Sequence, residues 1–321
     1  MRIFVDDGST NIKLAWMEEG AVKTLISPNS FKPEWSMTLL TDSSVPASAN
    51  YEIDGEKYSF DQLSPDAVRT TETRYQYSDV NVVAIHHALM QSGIEPQPVD
   101  VVVTLPLGEY LDENDQPNMA NIERKKANVK RAVAVQGRES FTVRKVSVLP
   151  ESVPAGFSVL KDLDSLLIVD IGGTTLDIAH VRSKMSGFTK THCDPKTGVS
   201  IITEAVKHAL DTSVSTRTSS YFADRLIQAR NDETFLSRYL QNADQRAQVM
   251  KVLHEREKAL THRVTDSVGR FAGFTHVMVV GGGASLVAGA VKQATGVSDD
   301  RFFVSDNPQF DLVLGMVAMK G

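Results

Sequence analysis

The 321-residue sequence contains a single cysteine, Cys193, so no disulfide can form within the chain, and a reducing compartment suits it. It has no apolar run of the roughly 18 residues that a membrane-spanning helix needs. The opening Met1-Arg2-Ile3-Phe4-Val5 runs into Asp6-Asp7 before it is long enough for a signal-peptide core. A basic excess is missing too: 34 Lys and Arg stand against 40 Asp and Glu, a net charge of −6, which argues against general binding to nucleic acid. No low-complexity linker divides the chain. Together these absences predict a cytoplasmic protein with no direct contact to nucleic acid or membrane, so that any DNA in its biology enters through a partner.

What is present reads as an ordinary folded α/β chain, 41% hydrophobic, with a length that predicts two closely packed domains. Arg2–Val5 reads as a buried strand and Asn11–Met17 as its hairpin partner. From residue 27 to about 74 the pattern breaks into Pro, Ser, Thr and aromatic residues, which predicts a small irregular subdomain. Ser78-Asp79 caps a helix through Ser92, and Asp100–Leu105 follows as a β-branched strand. The basic helix Asn118–Arg131 is most simply a solvated face. Short strands at 132–136, 140–143 and 146–149 precede a helix predicted over Glu151–Lys161. Leu166–Asp170 and Leu176–Arg182 are strands, helices fill most of 200–270, and Thr275–Val280 leads through three glycines into a helix over 284–294. A last helix runs from about Pro308 to Met319.

Two segments repeat, with their aspartates Asp6 and Asp170 separated by 164 residues. Phe4-Val5-Asp6-Asp7-Gly8-Ser9-Thr10-Asn11-Ile12 matches Ile168-Val169-Asp170-Ile171-Gly172-Gly173-Thr174-Thr175-Leu176: buried strand, Asp-x-Gly, hydroxyl residues, returning strand. Glycine without a Cβ lets the backbone approach a ligand, and successive N–H groups in such a turn form an anion-binding concavity. Ser9, Thr10, Thr174 and Thr175 add hydroxyl donors, and Lys13 offers a point charge to an inner phosphate. Asp6 and Asp170 would repel phosphate directly, which suits them to holding Mg²⁺ through its waters. One such segment alone is as well explained by an ordinary hairpin turn; two matching segments, each after an apolar strand, point to phosphate. Gly281-Gly282-Gly283, between a buried strand and a helix, allows close approach of a flat or anionic group, the adenosine contact that completes the set.

The order of these elements resembles the actin/Hsp70/sugar-kinase superfamily, and within it the plasmid-segregation actins of the ParM (StbA) family. The resemblance spans nearly the whole chain: FVDDGSTNIKLAW at the start, SPNSF at 27–31, YQYSDVNVVAIHHAL at 75–89, NIERKKAN at 121–128, PESVPAG at 150–156, DIGGTTLDI at 170–178 and FTHVMVVGGGA at 274–284. It implies an actin-like α/β fold of two duplicated RNase H-like domains around a nucleotide cleft. Domain I is expected over 1–161, with a small inserted subdomain about 27–95 and the C-terminal helix 306–321. Domain II is expected over 162–305, with a helical subdomain about 200–270. Asp6, Gly8, Ser9, Thr10, Asn11 and Lys13 would form the first phosphate loop, and Asp170, Gly172, Gly173, Thr174 and Thr175 the second. Glu151 matches the position where actin carries its water-orienting glutamine, so with Asp170 it would serve hydrolysis, although a helix-terminal acid is the plain alternative. Asp177 could assist at Mg²⁺ or be a solvated strand residue.

The same resemblance implies ATP and ADP as ligands, Mg²⁺ as cofactor and ATP-dependent assembly into double-stranded helical filaments. It also implies a DNA-binding adaptor, ParR, on a plasmid centromere, in the cytoplasm of a bacterium. A small-molecule kinase on the same fold is the rival reading, but no second Asp or Glu motif announces its substrate base. A chaperone-type ATPase would require a peptide-binding domain, and none follows the ATPase segment in this sequence. His86-His87 lacks a third ligand for a metal, and Cys193 beside His192 has no catalytic context.

Overall fold

A computed structural model describes residues 1–37, 49–183, 187–214 and 217–321; parts of the irregular subdomain and of the helical stretch expected near 215 lie outside the described residues. The chain opens with β1 (Arg2–Asp7), β2 (Asn11–Glu18) and β3 (Ala21–Pro28), an antiparallel meander whose inward positions Ile3, Val5, Ile12 and Leu14 are fully buried. Next come β4 (Phe31–Pro33), β5 (Asn50–Ile53) and β6 (Glu56–Phe60), and then α1 (Asp79–Gln91). Ser78 Oγ accepts the Asn81 N–H at the α1 N-cap, satisfying a donor the helix cannot. α1 is buried on nearly every side, as expected of a helix without a polar face.

β7 (Pro98–Leu105), α2 (Leu107–Tyr110), α3 (Met119–Val129), β8 (Ala134–Val135) and β9 (Thr142–Pro150) complete the first half. The two strands expected at 140–143 and 146–149 are one, because β9 pairs with β7 in parallel from Thr142 to Pro150, with a shift of register at Arg144. The expected helix at 151–161 is not continuous. Two short 3₁₀ turns stand there, Val153–Gly156 and Leu160–Asp162, since Ser152 has a positive φ and Pro154 has no N–H to donate.

The second half has β10 (Ser165–Ile171), β11 (Leu176–Arg182) and β12 (Phe188–Asp194), then α4 (Ser200–Val214), α5 (Ser220–Gln228), α6 (Glu233–Tyr239) and α7 (Ala243–Val268). β13 (His276–Val280), α8 (Ala284–Thr295), β14 (Phe302–Phe303) and α9 (Asp311–Lys320) follow. The two main sheets have the same plan: β3-β2-β1-β7-β9 and β12-β11-β10-β13-β14, in each case three antiparallel strands followed by two in parallel. The repeat in the sequence is thus a repeat of architecture, an actin-like α/β fold.

A smaller antiparallel sheet, β4-β6-β5-β8, takes three strands from the stretch expected to be irregular and its fourth, β8, from well beyond it, where Val135 and Ala134 pair with Tyr51 and Glu52. α9 returns to the first sheet, where Leu312, Val313, Met316 and Val317 pack against Phe4, Ala15, Val102 and Leu149. Among the described residues, no helix is long and apolar enough to cross a membrane.

Candidate functional site

The two Asp-x-Gly turns are the loops of the β1–β2 and β10–β11 hairpins, and they meet face to face. Ser9 Oγ and Thr174 Oγ1 share a hydrogen bond of 2.7 Å between the halves. Gly173 sits at this approach: a Cβ there would lie 2.9 Å from Ser9 Oγ and overlap Thr10 Oγ1, so a larger residue would have to displace both hydroxyls. A cavity of 260 Å³ opens along this junction. Asp6, Gly8, Ser9, Thr10, Asn11 and Lys13 line it from the first half, and Gly172, Gly173, Thr174, Thr175, Asp170, Gly281 and Gly282 from the second. Glu151, on the crossing between the halves, completes the wall.

The three glycines after β13 have different surroundings. Gly281 takes a φ of +89° and sits where any Cβ would overlap the Asp170 carboxyl. Gly282 has nothing within 4 Å of its Cβ position and faces the open cavity. Gly283 does not line the cavity; its Cβ would press on Val199 and Ile171, so its small size serves packing. Beyond these glycines the cavity is bounded by Val199, Thr203, Asp224, Ile227, Gln228 and Ser285, a mixed wall in which apolar Val199 and Ile227 stand among polar residues and Thr203 donates to Asp224. None of the α4 and α5 residues was singled out from sequence, because helical spacing alone does not tell a cleft face from a core face.

Electrostatically the site is short of positive charge. Asp6 pairs with Lys13 at 3.0 Å. Burial opposes the Lys13 ammonium, but Asp6, Asp170 and Glu151 outweigh it and hold the group above its usual range. Burial raises the Asp6 carboxyl despite that partner. Asp170 is pushed up to about 8 by burial first, then by Asp177 and Asp6. Glu151 rises well above the usual range through burial and the same carboxylate neighbours, and burial raises Asp177 too. Asp177 is therefore no solvated strand residue: it is 1% exposed and accepts the Leu107 N–H at 2.9 Å, tying β11 to the start of α2. With Lys13 as the one ammonium among these buried carboxyls, the charge of the site is not fully compensated.

A carboxyl protonated in the folded state and ionised in the unfolded one makes stability fall as pH rises from its unfolded pKa toward its folded one. For Asp170, at about 8 against 3.8, the unliganded protein should lose about 2 kcal/mol between pH 6 and pH 8. Thermal melts at both pH values, repeated with Asp170→Asn, check this; an unliganded protein equally stable at both would exclude it.

Behind the first turn lies a second polar cluster that the sequence reading missed. Consecutive strand residues point to opposite faces, so Asp6 faces the cavity while Asp7 faces α1 and α3. Asp7 accepts from the Lys125 ammonium, from Asn81 Nδ2 at 2.8 Å and from the Thr104 N–H at 3.2 Å. Lys125 is fully buried and also donates to the Gln76 carbonyl, Gln76 Oε1 and Asn81 Oδ1. Burial pulls its pKa down, against the pull of Asp7. The basic helix is thus not one solvated face: Arg124 lies 4.0 Å from the Tyr77 ring centroid, and Arg131 pairs with Asp54 and Asp79. A signal was available, since Lys125 falls on the stripe of Ile122 and Val129 at i+3 and i+7. Asn29 and Thr70 then fasten the turn itself by donating to the Ser9 carbonyl at 3.0 and 2.7 Å. His86 and His87 are buried in the core, where His87 stacks on Phe60 and its Nδ1 bonds to the Tyr51 hydroxyl at 2.7 Å.

A cavity walled by two facing glycine-hydroxyl turns, with acidic groups at its centre and a mixed wall at one end, fits an elongated polyanion with a flat end group. The fold has close structural counterparts. A ParM from Clostridium botulinum, solved as a 15-stranded filament, superposes with a TM-score of 0.68 at 16% identity, covering 99% of this chain and 98% of that one. An archaeal actin homologue gives 0.69 at 15% identity over 100% and 99% of the two chains. The same homologue solved with ADP gives 0.65 at 14% identity over the full length of both. No curated protein matches the sequence significantly. Residues 1–162 match the N-terminal and residues 160–319 the C-terminal part of the plasmid segregation protein ParM family. Turn, crossing, second turn and glycine-rich strand end follow in one order across both matches, and the chain belongs to the ParM plasmid-segregation family.

Proposed function

We propose that this protein is an ATPase whose nucleotide cycle times its assembly into filaments that move plasmid copies apart. The observation that carries the reading is the meeting of the two turns across a single cavity with Glu151 and Asp170 beside it. Backbone N–H groups and hydroxyls of Gly8, Ser9, Thr10, Gly172, Gly173 and Thr174 would hold the phosphates, and Lys13 an inner one. Gly281 and Gly282 would admit the adenosine.

Among the described residues no group of three or more His, Cys, Asp or Glu side chains is placed to hold a metal alone. A cation shared between Asp170, Asp6, water and phosphate fits that arrangement better. Mg²⁺ bound there would neutralise charge on the transferred phosphoryl group. Glu151 would orient the attacking water or take its proton, burial and the neighbouring carboxyls making it a stronger base than a free carboxylate.

Residues 1–161 with 306–321, and 162–305, would act as the two bodies. The γ-phosphate between them strengthens their contact, and its loss weakens the closed form. The adaptor ParR on a plasmid centromere is the partner the family resemblance implies. Two strands per filament are also implied, but the C. botulinum assembly has 15, so strand number needs its own measurement.

Electron microscopy and light scattering with ATP and Mg²⁺ test the reading: wild type should form filaments that disperse as phosphate is released, and Asp170→Ala should form none. Monomers only, at high concentration with ATP, would sink it. Transfer of phosphate to a metabolite, in place of its release, would establish the kinase alternative.

A further inference from the structure

Ser152, the residue after Glu151, has φ +66° and ψ −51°. The Val153 N–H donates to the Glu151 carbonyl at 2.8 Å, an i→i+2 bond. Angles and bond together define a γ-turn of the positive-φ kind, which is rare and strained for any residue with a Cβ. Ser152 is fully buried, and its Oγ has no hydrogen-bond partner, so the hydroxyl does nothing to hold the turn.

The turn persists because the chain is clamped on both sides of it. Before it, Pro150 is in register with Leu105 on β7, and the Glu151 N–H donates to the Leu105 carbonyl at 2.8 Å. After it, Gly315 of α9 packs directly on the Pro154 carbonyl, and Gly156 lies where a Cβ would come within 2.6 Å of Ile168 on β10. The chain thus leaves the first sheet at Glu151, meets α9 at Pro154 and reaches the second sheet at Gly156, within five residues. The sharp reversal at Ser152 places Glu151 on the cavity wall.

We propose that Ser152 is a positioning residue for hydrolysis: its strained γ-turn aims the Glu151 carboxyl at the attacking water. The inference rests on the role given to Glu151 above. A residue that resists positive φ should relax the turn, swing the carboxyl away and lower turnover on the order of 100-fold, the usual cost of misplacing a reacting group by about an ångström. Nucleotide affinity, which depends on the two loops, should stay near wild type.

The test measures phosphate release and nucleotide affinity for Ser152→Val, Ser152→Gly, Glu151→Ala and the double variant Glu151→Ala/Ser152→Val. Ser152→Val should lose turnover but not affinity, and Ser152→Gly, which adopts the turn without strain, should retain most of the turnover. The double variant should be no slower than Glu151→Ala, because both changes act on one step. Full turnover in Glu151→Ala would overturn the role of Glu151 itself. Loss of turnover in Glu151→Ala but not in Ser152→Val would overturn only the inference, as would loss of nucleotide affinity in Ser152→Val, which would mark Ser152 as merely structural.

Discussion

Glu151→Ala should release phosphate roughly 100- to 10,000-fold more slowly than wild type, the range that a positioned proton acceptor contributes. Its filaments, once formed with ATP, should outlast those of wild type, since the event that weakens the domain contact no longer occurs. Sedimentation and electron microscopy over the course of hydrolysis read this directly. The variant should not be confused with a misfolded one. Burial, then the carboxyls of Asp177, Asp6 and Asp170, disfavour charge on Glu151, so its removal relieves the site. The unliganded variant should therefore melt no lower than wild type at pH 8. Glu151→Gln adds a distinction: glutamine can orient water but cannot take its proton, so an intermediate rate would assign orientation the larger share. Unchanged phosphate release in Glu151→Ala would end the assignment.

Lys125→Ala should cost about 3–5 kcal/mol, the penalty for leaving one partner of a buried ion pair alone. The ammonium is fully enclosed, and its removal leaves the Asp7 carboxylate with only the Asn81 amide and the Thr104 N–H. Asp7 is immediately followed by Gly8 and Ser9, so the loss should also weaken nucleotide binding. Denaturant unfolding of the unliganded protein measures the first effect. Replacing both partners, Asp7→Asn with Lys125→Met, should recover most of the stability, because no buried charge is then left uncompensated. A single variant within about 1 kcal/mol of wild type would show that the pair does not hold the loop.

Much of the fold was legible because its signals are local. The apolar runs Ile3–Val5 and Leu166–Val169 flank Asp-x-Gly turns, and a hairpin follows from such a pattern whatever lies elsewhere. Matching turns 164 residues apart disclosed the duplication that the equal strand orders bear out. The helix expected over 151–161 failed for the opposite reason. Glu151, Val153 and Ala155 carry no local signal against a helix except Pro154, and the γ-turn is imposed by α9 and β10 from outside. Reading Lys125 as solvated failed likewise: one lysine among five basic residues looks like its neighbours until Asp7, Gln76 and Asn81 are brought around it.

By itself, then, the sequence determined the two Asp-x-Gly turns, their order and the family, since each depends on residues adjacent in the chain. Tertiary structure alone decided that the turns meet through Ser9 and Thr174, that Gly283 serves packing while Gly282 faces the cavity, and that Asp177 is buried. Those facts depend on distances between residues that are far apart in sequence. The same holds for the charge of the site: the pKa of Asp170 follows from burial and from Asp177 and Asp6, and no residue carries its surroundings in its name.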